Sequence, residues 1–161
     1  MGLDQYLTAK LYLSNFNKED KEKKDEINVL FRDLDLEVTQ IEFTIHQWRK
    51  SNAIHKWFVD NVQDGNDNCG TYYVSEEKLK ELLEIINKIL NIPKKEKLAN
   101  SLKEEYETYE NDLLPTEGGF FFGSTDYDEY YIKDLIETKE MLEKILNEKY
   151  KDLSFYYSSS W

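Results

Sequence analysis

The stretch TYYVSEEKLKELLEIINKIL, residues 71–90, contains both kinds of secondary structure that we expect in this chain. Residues 71–74 are rich in β-favouring side chains and predict a short strand. Ser75 is a suitable N-cap, and the two glutamates after it suit the positive end of a helix. The following apolar residues recur at three- and four-residue spacing, which predicts a helix with one buried stripe: Leu79, Leu82, Leu83, Ile86, Ile89 and Leu90.

Three further strands are predicted outside this stretch. Residues 3–13 combine Tyr and Thr with leucines, and residues 36–45 place Ile41, Phe43 and Ile45 on one face of an alternating pattern. Residues 153–161 carry three consecutive aromatics among serines and suit a closing strand beside the N-terminal one. The expected fold class is therefore α+β, with a small antiparallel sheet of N-terminal, central and C-terminal strands.

About five helices are expected to pack with this sheet. Besides residues 75–90, helical periodicity marks residues 18–34, a charged segment at 94–111 and a long amphipathic segment at 127–150, and another helix is expected to begin near Gln47. The stripe of the first helix is Ile27, Leu30, Phe31 and Leu34, and that of the long segment is Tyr131, Leu135, Leu142, Ile145 and Leu146. No internal repeat or Pro-rich hinge interrupts the chain, so residues 1–161 are expected to form one domain.

Two segments break these patterns and predict loops. Residues 63–70 (QDGNDNCG) have the composition of a polar turn. Residues 114–125 (LPTEGGFFFGST) form a Gly-bounded aromatic stretch, in which Phe120, Phe121 and Phe122 cannot all point to one side of a strand. Either at least one phenylalanine faces a cleft or partner, or the segment is a short core strand bracketed by glycines.

The net charge of −12 argues against general nucleic-acid binding, since that affinity depends on clustered Lys and Arg. Between Ser101 and Glu140, twelve acidic residues and three lysines give a net of −9. No apolar run approaches the roughly 20 residues of a membrane-spanning helix. Cys69 is the single cysteine and cannot form an intramolecular disulfide, so we expect a cytoplasmic location.

Residues 43–59 invert this charge, because they contain no Asp or Glu and hold both histidines and one of the two arginines. A helix beginning near Gln47 would align Trp48, Asn52 and His55 on one stripe, flanked by Arg49 and Lys56. One interpretation is an anion pocket, in which the guanidinium binds a phosphate and an aromatic face holds a base. The alternative is a helix whose aromatics enter the core, with Asn52 and His55 as satisfied buried polar groups.

Signatures of catalysis and of metal or cofactor binding are weak. His55 would form a base-and-nucleophile set with Asp60 or Cys69 only if the fold brought them together. Residues 63–70 lack the spacing of a calcium loop, and two histidines with one cysteine do not make a zinc site. We therefore predict no metal, no cofactor and no catalytic residue, unless the protein is an enzyme with His55 as its general base.

The segments MGLDQYL at the start, WRKSNAIHKWFVDN in the middle and LLPTEGGFFFGSTDYDEYY later resemble a family of small phage- and prophage-encoded proteins. The resemblance spans most of the chain, but the family carries no established mechanism, so it implies an origin rather than an activity. Small phage proteins without an enzyme signature often act against host defences, which makes an anti-defence role the implied expectation. They do so by sequestering a nucleotide immune signal or by blocking a defence protein.

These observations lead to one preferred hypothesis and two alternatives. The preferred one is a protein that sequesters a small anionic, nucleotide-like ligand, with these binding residues: Trp48, Arg49, Lys50, Asn52, His55, Lys56, Phe121 and Thr125. The first alternative is an acidic inhibitor of a host defence protein, or a nucleic-acid mimic, based on the −9 segment. The second is an enzyme that degrades a nucleotide signal. A homo-oligomer would be a common way for so small a domain to complete a pocket.

Overall fold

The structure, a computed structural model, describes residues 2–31, 33–34, 36–91 and 113–161. Its four strands form one antiparallel sheet in the order β2-β1-β4-β3, and helices are interspersed along the chain. The elements run in this order: β1 (Asp4–Tyr12), α1 (Lys18–Asn28), a 3-10 helix (Val29–Phe31), β2 (Gln40–Arg49), α2 (Asn52–Val62), β3 (Thr71–Val74), α3 (Glu76–Leu90), α4 (Glu129–Ile145), a second 3-10 helix (Glu148–Tyr150) and β4 (Leu153–Ser160). The α+β prediction is confirmed.

The core lies on one face of the sheet, against the helices. Strand β1 is central and pairs with β2 on one side and β4 on the other. Its alternate residues Leu7 and Ala9 are fully buried. In β4, Tyr157 is also fully buried and Phe155 is 5% exposed. This alternation is the period of two that a half-buried strand requires. The predicted pairing of the C-terminal strand with the N-terminal one is confirmed.

The helix predicted at residues 75–90 is confirmed as α3. Ser75 is its N-cap, and the Ser75 hydroxyl accepts a hydrogen bond from the Lys78 N–H at 3.3 Å. Its stripe residues Leu79, Leu82, Ile86 and Ile89 are all fully buried. This amphipathic face contributes to the core and packs against α4 and α2.

The helix predicted at residues 18–34 is wrong in length and in burial. Helix α1 ends at Asn28, and the apolar side chains of the predicted stripe beyond it are exposed, Leu30 by 75% and Leu34 by 60%. The physical reason is that residues 18–26 are all charged, so most of the helix has no apolar face. Its one buried residue is Lys24, whose ammonium donates to the Asn15 side chain.

The long helix predicted at residues 127–150 is shorter at both ends. Asp128 is the N-cap of α4, with its carboxylate accepting from the N–H groups of Tyr130 and Tyr131 at 2.9 and 3.1 Å. Asn147 starts a separate 3-10 turn after α4 ends. The described residues contain four α-helices, and the fifth predicted helix, at residues 94–111, lies outside them.

The central strand lies further along the chain than predicted. It was expected at residues 36–45, whereas β2 spans Gln40–Arg49 and pairs with β1 as far as Asp4 opposite Arg49. A register shift between Leu7 and Thr8 marks a β-bulge, which keeps both His46 and Phe43 opposite core-facing residues of β1. The helix expected near Gln47 therefore begins only at Asn52, because β1 holds the intervening residues in the sheet.

None of the helices in the described part of the chain has the length and apolar character needed to cross a membrane.

Candidate functional site

A strained turn connects β2 to α2. Lys50 adopts φ 61°, a left-handed conformation that costs a non-glycine residue free energy. The Lys50 N–H donates to the Leu3 carbonyl at 2.8 Å, and the Lys50 carbonyl accepts from the Asn52 N–H at 2.9 Å. The buried Gln5 amide then bonds both the N–H and the carbonyl of Ser51, at 3.2 and 3.0 Å. These backbone bonds hold the turn in its strained form.

The two residues before this turn point in opposite directions, as neighbours on a strand must. Trp48 is 3% exposed, and its indole N–H donates to the Thr138 hydroxyl at 2.8 Å. The prediction that Trp48 stacks on a ligand is therefore wrong, because the strand turns its ring into the core. Arg49 points outward, with its guanidinium 3.4 Å from the Asp4 carboxylate.

Asn52 was predicted to contact ligand, but its amide is used within the protein. The Asn52 side-chain nitrogen donates to the carbonyls of Phe122 and Ser124, at 3.1 and 2.7 Å. Its side-chain oxygen accepts from the Glu117 N–H at 3.1 Å. Asn52 thus fixes the aromatic loop, residues 114–125, to the start of α2, and its role is to position the loop beside the site.

His55 is fully buried, and both of its ring nitrogens are occupied. Nδ1 lies 2.8 Å from the Tyr157 hydroxyl, and Nε2 lies 3.0 Å from the Asp67 carboxylate. Burial raises the pKa of Tyr157, which keeps its hydroxyl protonated and able to donate. The prediction that His55 binds ligand is wrong, because α2 turns it inward. The same enclosure leaves it no free nitrogen for the general-base role of the enzyme hypothesis.

The other predicted binding residues lie away from the turn or are engaged elsewhere. The Lys56 ammonium is 2.9 Å from Asp60 on the same helix, and this hydrogen bond raises the pKa of Lys56. The Phe121 ring packs edge-on against the largely exposed Phe120. The Thr125 carbonyl accepts from the Thr116 hydroxyl at 2.9 Å. The structure therefore does not place Lys56, Phe121 or Thr125 on the lining of the cavity beside the turn.

That cavity has a volume of about 240 Å³ and lies between the start of α2, the end of the aromatic loop and the first turns of α4. We call it the α2 cavity. Its cationic residues are Arg49 and Lys50, and its acidic residues come from the other end of the sequence. The full lining is Arg49, Lys50, Ser51, Asn52, Ala53, Ile54, Thr116, Ser124, Asp126, Asp128, Tyr130, Tyr131, Asp134 and Leu135.

The first turn of α2 contributes backbone donors to this cavity. Ser51 occupies the N-cap position but makes no side-chain capping bond. Among the hydrogen bonds that the described residues make, none uses the N–H groups of Ala53 or Ile54. Unpaired first-turn amides, together with the positive end of the helix dipole, attract anions. This end of the cavity is therefore suited to an anionic group.

The lining of the cavity also includes a carboxyl group with a raised pKa, that of Asp134, beside the N-cap residue of α2. Burial is the largest cause and raises the pKa of Asp134 to about 6, against a hydrogen bond from Ser51 that lowers it. Nearby Glu137 and Asp128 also raise it. With Arg49 and Lys50 counted against Asp126, Asp128 and Asp134, the lining is neutral when Asp134 is protonated and has a net charge of −1 when it is ionised.

Replacing Asp134 with asparagine is expected to stabilise the fold at pH 7.5 by about 1–2 kcal/mol, a value reduced for its partial exposure. Since the folded pKa of Asp134 lies above the ordinary 3.8, the wild type loses stability as pH rises from about 4 to about 6. Asparagine keeps an acceptor for Ser51 and has no charge to bury. Urea unfolding at several pH values tests this, and a variant with an unchanged pH dependence would contradict it.

Of the predicted binding residues, Arg49, Lys50 and Asn52 line the cavity. The side-chain amide of Asn52 is hydrogen-bonded to backbone groups of the aromatic loop. The sequence pattern did not mark the three aspartates, Tyr130 or the amides of α2 as parts of one site with these residues. Residues 43–59, which contain no Asp or Glu, and the segment Ser101–Glu140, with its net charge of −9, are complementary in charge. This complementarity was the one signal in the sequence that residues from both lie close together. Comparisons with protein-family models, with curated proteins and with solved structures found no match.

Proposed function

We propose that this protein binds a small anionic, nucleotide-like ligand in the α2 cavity. The observation that carries the proposal is the combination, at one end of a cavity of about 240 Å³, of two cationic side chains with a helix N-terminus that has unpaired amides. Guanidinium and ammonium groups bind phosphate by charge-assisted hydrogen bonds, and the amides add donors without side-chain entropy cost. The phosphate of the ligand binds at this end.

Other residues of the lining suit the remainder of a nucleotide. Tyr130 lines the cavity with 69% of its surface exposed, and its ring can stack on a base. The carboxylates of Asp126 and Asp128 can accept from sugar hydroxyls or exocyclic amino groups. This assignment replaces Trp48 with Tyr130 as the stacking residue. The three aspartates of the lining also disfavour a ligand that is anionic along its whole length.

In the phage setting that the sequence resemblance implies, the proposed ligand is a nucleotide immune signal of the host. Capture of the signal without conversion would lower its free concentration and counteract the defence. The geometry favours capture over degradation, because His55 is enclosed and both its ring nitrogens are paired. Cyclic and linear nucleotides and ADP-ribose derivatives share the chemistry that the cavity recognises, and the experiment below distinguishes them.

The test is to measure binding of a panel of these compounds by calorimetry, then to heat-denature the complex and identify the released compound. We expect at least one nucleotide to bind and to be released intact. Arg49→Ala and Lys50→Ala are each expected to weaken its binding by about tenfold, the equivalent of one charge-assisted contact. A chemically altered product would contradict binding without turnover.

Lys56→Ala is the matched control, because Lys56 comes from the same acid-free run but pairs with Asp60 outside the cavity lining. Its affinity for the nucleotide is expected to equal that of the wild type. Asp134→Asn is expected to strengthen binding at pH 7.5, since it removes a negative charge from the lining. Absence of binding by every compound would contradict the proposal. Equal losses of affinity in Arg49→Ala, Lys50→Ala and Lys56→Ala would also contradict it.

A further inference from the structure

One acidic residue of the α2 cavity is held in place by a buried contact between α4 and β2. The Trp48 indole N–H donates to the Thr138 hydroxyl at 2.8 Å, and this hydroxyl donates to the Asp134 backbone carbonyl at 2.6 Å. These bonds fix the backbone of α4 against β2, one residue before Arg49. The Asp134 side chain lines the same cavity as Arg49. Its place beside the cationic turn is therefore set by the core.

Ser51 links the Asp134 carboxyl group to the N-terminus of α2. Ser51 is the N-cap residue of α2, yet its side chain makes no capping bond to the amides of the first turn. The Ser51 side chain is instead hydrogen-bonded to Asp134. An ionised Asp134 thus lies close to the positive end of the helix dipole, where an anion is favoured. In the absence of a ligand, this carboxylate is the anion that the protein itself supplies to the site.

We propose that Asp134 takes up a proton when the α2 cavity binds an anion, so that the affinity of the site increases as the pH falls. This inference rests on the proposed function and adds its regulation. A phosphate at the first turn of α2 and an ionised Asp134 would place two negative charges in one small, partly buried cavity, where water and salt screen them poorly. Protonation removes the repulsion and gives a carboxyl O–H that can donate to a phosphate oxygen.

The other charged groups around Asp134 do not remove this repulsion. The charged and titratable groups come from α4, from the loop before it and from the turn between β2 and α2: Lys133, Glu137, Asp128, Tyr130, Tyr131, Asp126, Arg49 and Lys50. Three of them are cations and three are carboxylates, so their charges sum to zero. An anion therefore meets neutral surroundings when Asp134 is protonated and a net charge of −1 when it is ionised.

The titration of Asp134 lies in a range that experiments can reach, because burial raises its pKa to about 6. A neighbouring anion favours the protonated form further, so the pKa is higher in the complex than in the free protein. A group whose pKa rises on binding takes up a proton, and the affinity increases as the pH falls through the two pKa values. A tenfold effect of protonation on affinity corresponds to an uptake of about half a proton near pH 6.5.

The test is calorimetry with 3′,5′-cyclic AMP, whose single negative charge is unchanged between about pH 5 and pH 8, so that proton uptake reports on the protein. Titrations near pH 6.5 in buffers of different ionisation enthalpy give the number of protons taken up. We expect about half a proton for each bound nucleotide, and binding about tenfold tighter at pH 5 than at pH 8. Asp134→Asn is expected to bind without proton uptake and with the same affinity at both pH values.

His46→Gln is the matched control, because His46 titrates in a similar range but lies on β2 outside the lining of the α2 cavity. Burial lowers its pKa, and Glu137 raises it. This variant should retain the proton uptake of the wild type. Binding without uptake, uptake that Asp134→Asn retains, or uptake that His46→Gln abolishes would overturn the inference and leave the proposed function standing. Absence of 3′,5′-cyclic AMP binding at pH 5 would also overturn it, and absence of binding by the whole panel would overturn the proposed function as well.

Discussion

Replacing His55 with leucine is expected to lower the free energy of unfolding by about 3–4 kcal/mol. Leucine is close to histidine in size, so the main loss is polar. The substitution removes one partner of the fully buried Tyr157 hydroxyl, which also interacts with Gln5, and one partner of the Asp67 carboxylate. Leaving a buried hydroxyl and a charged oxygen without these bonds costs more than the bonds themselves contribute. Urea unfolding followed by circular dichroism measures the difference.

Asp67→Asn is the control for this prediction. A carboxylate only accepts hydrogen bonds, so in the neutral imidazole the Nε2 atom donates to Asp67 and Nδ1 accepts from Tyr157. An asparagine oxygen can accept the same bond, and the expected cost is less than about 1 kcal/mol. Two variants of equal stability would show that His55 contributes packing alone. The Trp161 indole also donates to Asp67, at 3.1 Å, and asparagine can retain this bond only in part.

Replacing Asn52 with alanine is expected to cost about 3 kcal/mol of unfolding free energy. Asn52 is 4% exposed and makes three hydrogen bonds to backbone groups of the aromatic loop. Alanine leaves the carbonyl of Phe122 and the N–H of Glu117 without these partners in a poorly solvated place. The same change should loosen the loop beside the α2 cavity, so nucleotide affinity is expected to fall with the stability.

The matched control is Asn61→Ala on the same helix. Asn61 is exposed, and its amide donates one bond, to the Trp57 carbonyl at 2.9 Å. The expected cost is less than about 0.5 kcal/mol, as for other surface substitutions. Equal costs at the two positions would contradict the positioning role of Asn52. Hydrogen exchange adds a local readout, because only Asn52→Ala should accelerate exchange of the Glu117 amide.

Local sequence pattern predicted the elements whose burial follows from their own periodicity. Helix α3 carries its cap at Ser75 and its whole buried stripe in one continuous segment, and the structure confirmed both. The strands at both ends of the chain were confirmed for the same reason, since alternating residues need only one sheet to cover one face. The buried stripe predicted in residues 18–34 was wrong, because most of its apolar residues follow the end of α1 and are exposed.

The candidate site shows where local pattern was insufficient. The lack of Asp and Glu in residues 43–59 drew attention to Arg49 and Lys50, which the structure places on the lining of the α2 cavity, because a cluster of cations in an acidic chain is visible in composition. It placed Trp48 and His55 on the same surface, because a helix was assumed where β1 in fact holds Trp48 and Arg49 in a strand. One change of backbone period, from 3.6 to 2, sends Trp48 into the core and Arg49 outward.

The sequence by itself determined the α+β class, the ends of the well-patterned elements and the unusual charge of residues 43–59. These depend on neighbours within a few positions along the chain. Only the tertiary structure decided that the aspartates at 126, 128 and 134 line one cavity with Arg49 and Lys50, that His55 is enclosed, and that the apolar residues after α1 are exposed. Each of these depends on pairing between segments tens of residues apart, which no local periodicity encodes.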